Sequence, residues 1–69
     1  MKISARNSLP GTIVAIVRGP VTTEVTLEVA PGVQIVATIT TTSAESLKLA
    51  EGGKAYGLIK ASSVMIGAD

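Results

Sequence analysis

The sequence predicts an all-β fold, a five-stranded OB-like barrel with one short helix between strands 3 and 4. Three observations predict it. Val21 to Val29 alternates apolar and polar residues with a period of two. Pro31-Gly32 separates that run from a second alternating one. A helical patch interrupts the strands only once, between Thr40 and Gly52.

In chain order, Leu9 to Arg18 reads as the first strand, rich in Thr, Ile and Val, with apolar groups on both faces. Pro10 stands near its start, where a missing backbone donor is tolerated, and Gly19-Pro20 ends it. In the second strand, Val21, Thr23, Val25, Leu27 and Val29 face one way; Thr22, Glu24, Thr26 and Glu28 face the other. Pro31-Gly32 suits the centre of a type II turn, since Pro fixes φ and Gly accepts a positive one. Val33 to Thr40 then resumes the alternation, with Val33, Ile35, Ala37 and Ile39 on the core face, so strands two and three form a hairpin. Thr42-Ser43-Ala44-Glu45 fits a capping box with Thr42 as the cap. The helix it opens has room for about two turns before Gly52-Gly53. Lys54 to Lys60 forms a fourth strand, Ser62 to Ile66 a short fifth, and the last three residues a loose end. Three strands, a helix and two strands is the element order of an OB barrel, in which the helix plugs the space between strands 3 and 4. An SH3-like barrel is the alternative.

Sixty-nine residues allow one domain, 1–69. A chain of this size buries only about 60% of its unfolded surface, so its own core contributes roughly 3–5 kcal/mol. With no Cys and no His, neither a disulfide nor a zinc site adds to that. Hydrophobic residues nevertheless make up 46% of the chain, nearly all aliphatic, with no Phe, no Trp and one Tyr. That is more apolar mass than so small a monomer can hide, and a homo-oligomer is expected. The start of the chain does not read as a signal peptide, because Lys2 is followed by polar residues. Nor does any stretch approach the ~18 apolar residues of a transmembrane helix, so a cytoplasmic protein without a membrane partner is expected.

The polar residues argue against catalysis. Asp occurs only at position 69, and the four glutamates are scattered, Glu24 and Glu28 on a wet strand face, Glu45 in a cap, Glu51 beside a turn. None is a shielded carboxylate of the kind acid–base chemistry needs, and no serine is paired with a desolvated lysine. Nucleic acid is disfavoured too: one Tyr and a net charge of +1 supply neither stacking platforms nor a basic groove. No ligand set for a metal cation is present. A small oxyanion fits better, because it wants N–H and O–H donors converging with one or two cations. Such donors occur at Ser4/Arg6/Asn7, at the helix start from Thr40 to Ser43, and at Lys60/Ser62. Each group also has a plainer reading, as a turn, a helix cap and a solvated strand end. An OB module that serves assembly or regulation, or one that binds nucleic acid, is the alternative class.

Lys2-Ile3-Ser4-Ala5-Arg6-Asn7 followed by Leu9 and Gly11, Thr38-Ile39-Thr40 before the helix, Leu47-Lys48-Leu49 at its end, Glu51-Gly52, and Ile59-Lys60-Ala61-Ser62 together resemble the molbindins. These are small molybdate-binding proteins of the Mop/TOBE-domain family, whose domain also occurs in molybdate-responsive regulators and transport ATPases. The resemblance spans essentially the whole chain. It implies a homohexamer built as a trimer of dimers, with molybdate or tungstate bound as an oxyanion at subunit interfaces and no organic cofactor. Carried over residue by residue, Ser4, Ala5 and Arg6 would act with Lys60, Ala61 and Ser62 of one subunit, and Thr40 and Ser43 would come from a neighbour. Asn7 matches the motif and either contacts the ion or organises the turn.

Overall fold

The computed structural model describes all 69 residues. Its elements are β1 (Asn7–Arg18), β2 (Thr22–Ala30), β3 (Val33–Thr40), α1 (Thr41–Ser46) and β4 (Lys54–Ile59), followed by a 3-10 turn at Ala61–Ser63. The strands form one antiparallel sheet in the order β3-β2-β1-β4. β1 is thus paired on both sides, along its first half with β4 and along its second with β2. The two stretches overlap at Thr12, and a bulge between Ile13 and Ala15 interrupts the pairing with β2; bulges of this kind increase local twist.

The sheet curls. β3 and β4 are its two edges, yet the Ile35 side chain lies where a β-carbon on Gly57 would stand. A side chain at 57 would have to displace the Ile35 side chain, so the absent β-carbon leaves room for β3 to pack Ile35 against β4. The core lines the inside of this curl: Ile13, Val25 and Leu27 are buried, with Ile16, Ile35, Ile39 and Leu49 packed against them. Ala44, fully buried, seats α1 on the sheet. The β2–β3 hairpin turns at Pro31-Gly32 with Gly32 at φ 75°, the conformation that a type II turn requires at its third position.

Three expectations need correction. Ser62 to Ile66 forms no strand: Ala61–Ser63 is a 3-10 turn, and Met65 and Ile66 are each 91% exposed. An apolar run asks for burial but does not name a partner, and no edge of this sheet pairs with it. The helix cap is Thr40, two residues before the predicted one, because Thr40 Oγ1 accepts the Ser43 N–H at 3.0 Å. The helix ends at Leu47, where Leu47-Lys48-Leu49 is expected to close it. Leu49 N bonds Ala44 O at 3.1 Å and Lys48 N bonds Glu45 O at 3.0 Å, with Lys48 at φ 54°. That is a Schellman closure with lysine in the left-handed position. Lastly, Val21, Val33 and Ala37 are exposed although the alternation puts them on the core face. Val33 and Ala37 lie on an edge strand that the curl covers only at Ile35 and Ile39, and Val21 precedes the first paired residue of β2.

Only five of 69 residues are buried, so the apolar surplus seen in the composition stays on the surface. The open side of the curl holds an apolar cavity of about 390 Å³ between the β2–β3 hairpin and β4, reached by Leu47 and Met1. No helix is long and apolar enough to cross a membrane.

Candidate functional site

The predicted site residues fall into two groups. The first forms at the end of the β1–β4 pair. Asn7 faces Ile59, Ser8 faces Leu58 and Leu9 faces Gly57, an antiparallel register that stops at Asn7. The chain segments leaving this last pair are Ser4-Ala5-Arg6 on one side and Lys60-Ala61-Ser62 on the other, so the register delivers both to one end of the sheet. Asn7 closes that end. Its Nδ2 donates to Ile59 O at 3.1 Å, across 52 residues of sequence. The carboxamide therefore clamps the two segments together.

Ser4, Arg6, Lys60, Ala61 and Ser62 are exposed, and Ala5 and Asn7 are half-buried. Arg18 donates to Leu49 O and Lys54 to Thr12 Oγ1, each at 2.9 Å. Arg6 and Lys60 have no such internal partners, and neither segment contains a carboxylate. Past Lys60 the chain enters its 3-10 turn, closed by Ser63 N on Lys60 O at 2.8 Å. The first N–H groups of such a turn, on Ala61 and Ser62, have no partner within it. Two cations, two serine hydroxyls and these backbone donors make this end rich in donors and free of carboxylates, which suits an anion.

The second group, Thr40 and Ser43, lies at the start of α1 and is already engaged internally. Ser43 N donates to Thr40 Oγ1, and Thr40 Oγ1 donates at 2.7 Å to Ser43 Oγ. A hydroxyl has one proton, so Thr40 has none left to offer. The Ser43 hydroxyl proton has no acceptor in the chain and faces solvent. Sequence reasoning allots this group two equivalent hydroxyls; the bonding makes Ser43 the outward donor and Thr40 its support.

The two groups do not meet within one chain. β1 runs from Asn7 to Arg18, and Arg18 pairs with Thr23 of β2, which pairs with Ile39 of β3. Thr40 is thus level with the far end of β1, separated from Asn7 by about 35 Å of strand at ~3.3 Å per residue. Sequence reasoning missed Thr23 and Thr41, which tie α1 to β2. The available signal was a hydroxyl residue, Thr23, on the apolar face of the second strand.

An antiparallel, curled sheet with one short helix packed on it and donor residues at the start of its long first strand defines a small OB-like module. The model of the TOBE domain matches residues 3–66, and the chain belongs to that family. It is 46% identical over 66 residues to molybdenum-pterin-binding protein 3 of Clostridium pasteurianum, covering 96% of this chain and 97% of that protein. It is 54% identical over 69 residues to the molybdenum transport protein ModE of Herbaspirillum seropedicae, but spans only 26% of its length. Among solved structures, MopII from Clostridium pasteurianum matches with a TM-score of 0.90 at 43% identity, covering 97% of this chain and all of that one. The cytoplasmic molybdate-binding protein ModG, solved with molybdate bound, matches with a TM-score of 0.83 at 43% identity over 88% of this chain and 43% of its own. Within the TOBE-domain family, these neighbours are the molbindins.

Proposed function

We propose that this chain binds molybdate, and tungstate with it, as a free tetrahedral oxyanion, at sites formed between copies of the chain. The observation that carries the reading is the β1–β4 register, which brings Ser4-Ala5-Arg6 and Lys60-Ala61-Ser62 to one end of the sheet. Arg6 and Lys60 offset the charge of the dianion. Ser4, Ser62 and the backbone N–H groups of Ala5 and Ala61 supply directional bonds, and Ser43 of a neighbouring copy completes the shell. Such an ion arrives already ionised, so binding requires no proton transfer and no catalytic residue. Sulfate is also a tetrahedral dianion and is told apart by cavity size. Phosphate, partly protonated near neutral pH, brings a donor that only a serine hydroxyl could accept, in competition with that hydroxyl's role in the shell.

The separation of Ser43 from the cationic end supports a site shared between copies. So does the amount of exposed apolar surface, with Val17, Val36 and Tyr56 each at least 59% exposed. The assembly we favour is a homohexamer, a trimer of dimers, that stores or buffers the ion in the cytoplasm. Because the chain spans only a quarter of ModE, that protein's further activities are not part of the reading. Several relatives are named for a molybdenum–pterin. We favour the bare ion, since a planar pterin calls for an aromatic or apolar face beside its polar edge, and neither donor segment contains an aromatic residue.

Titration calorimetry with molybdate, tungstate and sulfate, in the absence of any pterin, tests this. Saturable heat with the first two and none with sulfate is expected; a folded chain that gives no heat with molybdate overturns the reading. Sedimentation should show a species several times the 7.0 kDa chain mass.

A further inference from the structure

Thr23 is the single buried polar residue, with no exposed surface, on the core face of β2 beside Val25 and Leu27. A valine would fill the same volume without a hydroxyl to satisfy. Burying a hydroxyl is unfavourable unless it is bonded, so the bond it makes is informative. Thr23 Oγ1 lies 2.8 Å from Thr41 Oγ1, and Thr41 Oγ1 donates at 2.7 Å to Gly19 O. A carbonyl only accepts, so Thr41 uses its one proton on Gly19. In the remaining contact Thr41 must accept and Thr23 must donate. Thr41 N donates as well, to Val21 O at 2.8 Å. The first residue of α1 is therefore fixed by three hydrogen bonds, two to the β1–β2 connection and one to β2.

Thr41 follows Thr40 directly, and Thr40 holds Ser43 by the two bonds described above. Proton donation thus runs one way in each of two short chains, Thr23 to Thr41 to Gly19 O, and Thr40 to Ser43. Only the Ser43 hydroxyl proton is left over, and its position depends on where Thr41 is anchored. We propose that Thr23 and Thr41 are positioning residues for oxyanion binding, which act through Thr40 to aim the Ser43 hydroxyl at the ion. This rests on the molybdate reading above and deepens it. Neither threonine touches the ion.

The test is molybdate calorimetry on the assembled protein, well below its unfolding temperature, with parallel circular dichroism and sedimentation. Thr41→Val should weaken binding about tenfold and Thr23→Val several-fold, both in folded protein of parental size. Thr41→Ser and Thr23→Ser, which keep the hydroxyls, should return affinity to within about twofold of the parent. A double-mutant cycle separates positioning from general destabilisation. In a Ser43→Ala background, Thr41→Val should cause no further loss. Additive losses in that background overturn the inference, as does parental affinity in Thr41→Val. Should Thr41→Val fail to fold, the Thr23→Val and Thr23→Ser pair decides by the same criteria. A parent chain that binds no molybdate removes both readings, whereas a binding parent with equally binding valine variants removes this one alone.

Discussion

The two ends of the sheet hold complementary chemistry under opposite constraints. At the β1–β4 end, Arg6, Lys60, Ser4 and Ser62 are exposed, and the one side-chain bond that closes it is Asn7 to Ile59 O. At the α1 end there is no cation among Thr23, Thr40, Thr41 and Ser43, and nearly every hydroxyl proton there has an acceptor. Charge attracts an ion from any direction, so the cations tolerate a loosely held setting. A neutral hydroxyl contributes only when aligned, so the group without charge is the one tied to the core, through Thr41 and the buried Thr23. The difference suggests a division of labour, with one end supplying attraction and the other direction.

The contrast can be broken at either end. Arg6→Ala and Lys60→Ala should each weaken molybdate binding by roughly 1.5–3 kcal/mol, the range for hydrogen bonds to charged groups. Neither should move the thermal midpoint, because neither side chain has an internal partner; calorimetry and thermal unfolding read the two effects separately. Thr40→Ala should do the reverse in stability. Loss of an N-cap of this kind costs about 1 kcal/mol, which in a domain this small lowers the midpoint by roughly 4–8 °C. It should also loosen Ser43 and weaken binding by a smaller factor than the cation variants. Asn7→Ala sharpens the comparison. It removes one clamp bond for on the order of 0.5–1.5 kcal/mol of stability, and affinity should follow only as far as the two segments drift apart. Lys48→Gly should have the smallest effect and the opposite sign. Relief of a left-handed lysine stabilises by up to about 1 kcal/mol, seen as a raised midpoint at fixed protein concentration with affinity unchanged.

Much of the fold was legible because alternation is a strong signal. β3 begins and ends where the pattern does, and β2 is displaced by one residue at each end. The short helix was legible as an element but not in its register. Thr40, Thr41, Thr42 and Ser43 are four successive residues that can all cap a helix. What selects Thr40 is tertiary, the anchoring of Thr41 to Val21 O, Gly19 O and Thr23. The helix end was legible at Leu47-Lys48-Leu49, although a lysine there takes a left-handed position that propensity assigns to glycine. The fifth strand failed because Val64, Met65 and Ile66 carry apolar character without naming a surface to pair with. Of the candidate site, the two halves at the β1–β4 end were legible as residue types. Their adjacency follows from a register that spans 52 residues of sequence, which no local pattern encodes.

The length of β1 carries one more consequence. It sets the two donor groups at different ends of the sheet, so on the proposed reading a single copy would supply one cationic half and one hydroxyl half to different ions. In any closed ring or cage of copies, each complete site then takes one half from each of two neighbours. The number of such sites cannot exceed the number of chains. An isolated chain has none. If the proposed site is shared in this way, loading would follow the assembly's stoichiometry, and dilution that separates the copies should release the ion.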